Sequence, residues 1–192
     1  MEEAISALAA QPFVPDEFPF AFLVAFGNKA TTIKRLRSGS SNKSDCGGVL
    51  QTSNIQISGT IYVLRSKSDL PIVKDNRQVL HKIGVTIGKV ERRIANAKID
   101  ATFLLADVEI VATYELFNIN RSKLENLIHR IFDTARLDLE IKDRFGNSVV
   151  PREWFLVPFA VVDDAVERIK DGTIKDYLYD PKQARLVERK AK

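Results

Sequence analysis

The stretch between residues 59 and 94 constrains this chain more than any other, because two strand-like runs in it are followed at once by a helical pattern. Residues 61–64 form a run of β-branched and aromatic side chains, which is typical of a strand. Residues 80–86 form a second such run, and its side chains alternate between two faces. Apolar residues then recur at helical spacing, at Val90, Ile94 and Ala97. This order predicts a strand, a turn, a second strand and a helix.

The composition and the single cysteine limit the class of protein. Of the 192 residues, 45% are hydrophobic and 28% are charged, which is the balance of a globular domain with a real core. Cys46 has no partner for an internal disulfide, which suits a reducing cytoplasm. The longest apolar run, residues 20–26, is far shorter than the ~20 residues of a membrane helix, and no secretion signal follows Met1. We therefore expect a cytoplasmic protein without a membrane partner.

Patterns beyond residue 100 predict the remaining elements. Val108–Phe117 alternates as a third strand, and Asn120 is placed to cap a helix that begins at Arg121. A turn, a further strand and a closing helix are predicted at residues 143–147, 154–157 and 161–169. The expected fold is α/β (α+β), with a small three-stranded, mostly antiparallel sheet flanked by helices. We place this domain at residues 55–175 and a C-terminal tail at residues 176–192.

Residues 1–48 are predicted to form a helical N-terminal extension that ends in a Ser/Gly-rich linker. Two short helices, at residues 18–26 and 33–37, would meet at a glycine, as in a helix-turn-helix unit. Within this extension, residues 18–44 contain five basic residues and no acid, so the surplus of positive charge lies in this segment, and phosphate backbones attract such segments. The sequence thus predicts DNA contact by Lys34, Arg35 and Arg37. The alternative is that these cations form a solvated helix face.

The strand pair carries a resemblance to a known family. Gly59-Thr60-Ile61-Tyr62 and Lys82-Ile83-Gly84 resemble the paired signature of the GIY-YIG endonucleases, and Lys82 stands where phage-ORF-type members commonly replace the second Tyr. Blocks at residues 90–97, 123–129 and 151–155 are similar to motifs of the same subfamily. The resemblance implies the GIY-YIG fold and a divalent-metal-dependent DNA endonuclease, using Mg²⁺ or Mn²⁺, with a function in restriction or foreign-DNA defence.

The resemblance also implies roles for the matching residues. Tyr62 would help to activate the attacking water. Lys82 and Arg93 would contact the scissile phosphate and lower the pKa of that phenol. Glu125 would hold the metal ion, and His129, one helical turn away, would orient water or substrate. One active site cuts one strand, so cutting both strands requires a homodimer or two successive events.

Several alternatives stay open at this point. The sequence does not decide whether Arg92 or Arg93 is the site arginine. The Asn that closes the site in homing-type members has no counterpart in this chain. Tyr62 also fits a core aromatic, and Glu125 fits an exposed partner of a cation one turn away. Glu153 and Trp154 are interpreted as structural. The second functional hypothesis is a catalytically weak DNA-binding or regulatory protein that retains the fold.

Overall fold

The structure is a computed structural model that describes residues 32–36, 57–117 and 119–189. The strands in this part of the chain are, in order, β1 (Thr32–Leu36), β2 (Ile57–Ser66), β3 (Leu80–Thr86), β4 (Val108–Phe117), β5 (Ile141–Lys142), β6 (Ser148–Val149), β7 (Trp154–Leu156), β8 (Tyr177–Asp180) and β9 (Arg185–Glu188). The α-helices are α1 (Pro71–Asp75), α2 (Val90–Ile94), α3 (Arg121–Ile131) and α4 (Phe159–Asp171). The fold is therefore mixed α/β, as the sequence predicts.

An antiparallel sheet of five strands forms the centre of the described fold, in the order β1-β4-β2-β3-β7. The register pairs Tyr62 with Gly84 and Leu64 with Lys82, so these four residues share one face of the sheet. β7 pairs only with the first three residues of β3, from Leu80 to Lys82. The second half of β3 therefore lies at an edge of the sheet, and the candidate site is built there.

Each face of the sheet is covered by a separate set of helices. The large core on the first face includes buried residues of β2, β3 and β4 together with the apolar stripes of α3 and α4. Amphipathic spacing explains why these two helices pack there. The second face packs Tyr62 and Leu64 against Val90 of α2 and against Phe103, in the 3₁₀ turn Ala101–Phe103. Tyr62 and Lys82 thus lie on the face that carries the shorter helices, whereas α3 packs on the opposite face.

The predicted helix at residues 33–37 is wrong over the part that the structure describes. Thr32–Leu36 is a strand, β1, which pairs with β4 along its whole length. A five-residue helix gains too few hydrogen bonds to be stable, whereas the edge of β4 offers a complete ladder to the β-branched Thr32 and Ile33. Residues 18–26, the other half of the predicted helix-turn-helix, lie outside the described residues.

The predicted three-stranded sheet is also too small, because β1 and β7 extend it at both ends. The strand predicted at residues 154–157 is confirmed as β7, but its pairing with β3 and the pairing of β1 with β4 join distant parts of the chain, which local patterns do not reveal. By contrast, β3 and β4 have the predicted bounds. Asn120 caps α3, since its side-chain oxygen accepts a hydrogen bond from Lys123 N at 3.1 Å.

The described part of the C-terminal tail packs against the large core. β8 and β9 pair as a two-stranded antiparallel sheet, and Tyr179 packs its ring against Phe132 at a centroid distance of 5.7 Å. The division at residue 48 falls outside the described residues, and the division at residue 175 stays a prediction. None of the helices in the described part of the chain is long and apolar enough to cross a membrane.

Candidate active site

At the open half of β3, a backbone carbonyl and a histidine side chain form the hydrogen bonds that a neighbouring strand would otherwise form. Ile83 N donates to Glu153 O at 3.0 Å, and Ile83 O accepts from His129 Nε2 at 3.1 Å. Because a carbonyl oxygen only accepts, Nε2 carries a proton, so that in the neutral form of the ring the lone pair lies on Nδ1. The predicted site residue His129 is therefore fixed at the edge of the sheet, with Phe155 beside its ring at 5.3 Å.

Tyr62 lies across Gly84 on the neighbouring strand. A Cβ atom at Gly84 would lie 2.4 Å from the Tyr62 hydroxyl oxygen and 2.5 Å from the ring carbon that bears it. The glycine thus creates the space that the phenol occupies. The ring itself is buried, as the core interpretation of Tyr62 requires, and the catalytic interpretation stays a prediction.

Lys82 is fully buried, two residues before Gly84 on the same face. Its ammonium group donates to Glu153 Oε2 and, at 3.1 Å, to Thr102 O. It also lies 4.7 Å from the centre of the Phe103 ring. Burial lowers the pKa of Lys82, and the charge of Glu153 is the largest influence that opposes this shift. The sequence did not predict this buried ion pair.

Arg93 is the arginine that the structure places beside Tyr62. Its side chain hydrogen-bonds the Tyr62 hydroxyl, and its guanidinium lies 5.0 Å from the centre of the Phe103 ring. Lys82 and Arg93 therefore share one aromatic ring. Arg92 has no comparable contact in the described part of the chain. The structure thus brings Tyr62, Lys82 and Arg93 together, as the sequence predicts.

One expectation about Tyr62 is wrong. Its cationic neighbours were expected to lower the pKa of the phenol, yet the pKa is raised to about 12. Burial is the largest cause, and the negative charge of Glu153 adds to it, so that together they outweigh Arg93. The phenol is therefore protonated at neutral pH. It accepts a hydrogen bond from Arg93 in this structure, and it is not the base that accepts a proton from water.

Glu125 lies on α3, one turn before His129, with a partly exposed side chain. Its charge raises the pKa of Tyr62, which places the carboxylate within electrostatic reach of the phenol. No group of three or more His, Cys, Asp or Glu residues that suits a metal ion is found in the described residues. Mg²⁺ is commonly held by one or two carboxylates, with water and phosphate oxygens as the other ligands. A lone accessible carboxylate fits that mode of binding.

Glu153 is the site residue that the sequence interpretation missed. It was considered structural because Trp154 follows it, and that tryptophan is indeed buried, with Nε1 donating to Thr102 O at 3.0 Å. The Glu153 carboxylate is paired with Lys82 and also borders an open groove of about 840 Å³ that reaches His129. A buried lysine in a strand was the available signal, since such a lysine requires an acid.

The predicted DNA-binding residues of the N-terminal segment are not supported as a group. Arg35 donates to Asp163 at 3.0 Å and lies over the Phe159 ring, so its charge is neutralised by α4. Lys34 belongs to β1, but its side chain is not described, and Arg37 lies outside the described residues. The structure thus assigns one of the three a structural contact and leaves the other two as predictions.

Comparisons with known proteins correct the family that the sequence suggested. The family model of the T5orf172 domain matches residues 59–170. This family is distinct from the GIY-YIG endonucleases, so the assignment of the chain to that superfamily and its phage-ORF-type subfamily is wrong. The short signature blocks were too few to separate the two families.

A relative from Bacillus subtilis (strain 168), the "Uncharacterized protein YeeC", is 43% identical over 126 residues. The match covers 64% of the present chain but only 31% of that protein, so the chain spans about a third of its length. No solved structure matches the chain.

Proposed function

The chain belongs to the T5orf172 domain family, and we propose that it is a divalent-metal-dependent DNA endonuclease that hydrolyses phosphodiester bonds. The observation that carries this proposal is the grouping of Lys82, Arg93 and the Tyr62 hydroxyl around one ring, Phe103, next to the open edge of β3. A buried cation is costly, and a structural core has no need of two cations at one aromatic ring.

Such a grouping suits a reaction in which negative charge builds on phosphoryl oxygens. Arg93 offers an exposed planar donor group that can take a phosphate in bidentate fashion. Lys82 adds a charge in a dry environment, where electrostatic interactions are strong. The protonated Tyr62 hydroxyl donates a further hydrogen bond. Together these groups would stabilise the pentacoordinate phosphorus of the transition state.

The edge of β3 provides the remaining functions. Glu125 would hold the divalent ion, which supplies a hard Lewis acid for phosphate oxygens when bound. His129 keeps a lone pair on Nδ1 while its Nε2 is held by Ile83 O, so we assign it the orientation of the attacking water. Tyr62 is not assigned the role of general base, because the pKa of its phenol is too high.

The test is cleavage of supercoiled plasmid DNA by the purified full chain with Mg²⁺ or Mn²⁺, in parallel with a chelator. We expect nicked or linear product with the metal alone, and loss of product in Lys82→Met. Lys74→Met, at an exposed lysine of α1, is the matched control and should cut as the parent does.

An uncut plasmid under all metal conditions would contradict the proposal. If the parent still bound duplex DNA in that experiment, the alternative of a DNA-binding protein without cleavage would take its place.

A further inference from the structure

Positive charge is concentrated on the surface next to the candidate site. Between the end of β3 and the end of α2, the chain carries Lys89, Arg92 and Arg93 but one acid, Glu91. The first turn of α3 adds Arg121 and contains no acidic residue. We refer to Lys89, Arg92, Arg93 and Arg121 as the basic rim.

The two halves of the basic rim meet at the open end of the β2–β3 pair. A Cβ atom at Gly59 would lie 2.6 Å from Cδ of Arg121 and 2.9 Å from Thr86 O. The Arg121 side chain therefore passes over Gly59 at the last residue of β3. Lys89 follows three residues later and precedes α2, whose Arg93 reaches the Tyr62 hydroxyl. The rim is thus continuous with the site.

Ion pairs neutralise some of the cations on the described surface, but neither those of the rim nor exposed lysines such as Lys74 and Lys182. Carboxylates lie within 3.1 Å of a charged nitrogen in Arg35, Arg65, Lys98, Arg136, Arg168 and Lys170. Within the described residues, Lys89, Arg92 and Arg121 form no ion pair. The side chains of Lys89, Arg92 and Arg93 are exposed.

The start of α3 makes this distribution more unusual. Acids are favoured in the first turn of a helix, because the backbone there presents positive partial charge. The first turn of α3 carries Arg121 and contains no acidic residue. This arrangement does not stabilise the helix through its dipole, and it leaves positive charge at this end of α3.

We propose that the basic rim binds the sugar–phosphate backbone of duplex DNA beside the bond to be cut. The occupant follows from charge complementarity, since clustered, exposed lysine and arginine attract polyanions, and from continuity with Tyr62 and Arg93. This inference rests on the proposed function for the choice of DNA. It also moves the main DNA contact from the N-terminal segment, where Arg35 is paired with Asp163, to the family-matched part of the chain.

The test measures equilibrium binding of a labelled duplex to the full chain in chelator, over a series of salt concentrations. Each phosphate contact contributes about 0.9 to the slope of log affinity against log salt. The triple variant Lys89→Gln/Arg92→Gln/Arg121→Gln should therefore flatten the slope by roughly two to three units. The double variant Lys89→Gln/Arg92→Gln leaves the Arg121 contact with Gly59 intact and should flatten it by about two units.

The matched control removes three charges elsewhere, at the exposed lysines Lys74, Lys175 and Lys182. It should keep the slope of the parent. A rim variant with the parental slope, or a control with an equal loss, would overturn the proposal. So would a rim dependence seen with single-stranded DNA or RNA and absent with duplex DNA.

Because binding is measured without metal, the result does not depend on cleavage. A rim that binds DNA in a chain that never cuts would refute the proposed nuclease alone. A chain that cuts with a rim that does not bind would refute this inference alone.

Discussion

The replacement of Gly84 by alanine tests whether the position of the Tyr62 phenol matters to this protein. The new Cβ would lie 2.4, 2.5 and 2.9 Å from three atoms of the Tyr62 side chain, where ordinary van der Waals contact begins at 3.4 Å. The ring must therefore move by about 1 Å. The ring packs against Val90 and Phe103 on the second face of the sheet, and these residues oppose its movement.

The magnitude follows from the cost of overpacking a dense core, which is about 1–3 kcal/mol. For a chain of this size, each kcal/mol lowers the melting temperature by about 2–4 °C, so a fall of roughly 2–12 °C is expected. Activity should fall more steeply than stability, because the displaced hydroxyl no longer meets Arg93. Loss of a positioned hydrogen bond in a transition state costs on the order of 3 kcal/mol, or about a hundredfold in rate.

Gly88→Ala is the matched control for stability. No atom lies within 4 Å of its added Cβ, and its φ is not in the left-handed region, so the melting temperature should stay the same or rise slightly. Thermal melting and urea unfolding of both variants, with plasmid cleavage by the folded fraction, provide the comparison. If Gly84→Ala matched the parent in both stability and turnover, the close contact between Gly84 and Tyr62 would have no functional meaning.

Three further predictions concern single side chains. Tyr62→Phe keeps the packed ring and removes the hydroxyl, so cleavage should fall by an order of magnitude or more while the melting temperature changes little; a large loss of stability with normal turnover would favour a core role. Glu153→Gln removes the charge that keeps Lys82 protonated, so the alkaline limb of the cleavage–pH profile should move to lower pH; an unmoved limb would contradict this. Burial lowers the pKa of His81, so as the pH falls the unfolded chain binds a proton before the folded chain does. The free energy of unfolding, measured with urea, should therefore decline below about pH 6.5, with a slope of up to about 1.4 kcal/mol per pH unit from this group. His81→Gln should remove that part of the pH dependence.

The sequence predicted those elements whose stability depends on local pattern. β3 and β4 have the predicted bounds because alternating or continuous apolar runs define them. Asn120 caps α3 for the same kind of reason, since a cap is a contact between residues three apart. The predicted helix at residues 33–37 failed because β1 exists only through its pairing with β4, which lies far along the chain.

The residues of the candidate site were likewise predicted only in part. Tyr62, Lys82 and Arg93 were identified from short blocks, and the structure places them together. Glu153 was missed because its partnership with Lys82 arises from the β3–β7 pairing. The direction of the Tyr62 pKa was wrong because charges can be read from a sequence, whereas the depth of burial that outweighs them cannot. The same short blocks led to the wrong family.

The most direct test of the central claim is a comparison of Glu125→Gln with the parent in one assay that follows both binding and cleavage of a labelled duplex in Mg²⁺. Glu125 lies on the surface of α3 and is partly exposed, so the fold and the DNA affinity should stay close to those of the parent. Cleavage should be lost, because the amide cannot replace the carboxylate as a ligand for a hard cation. Cleavage by Glu125→Gln at the parental rate would contradict the account.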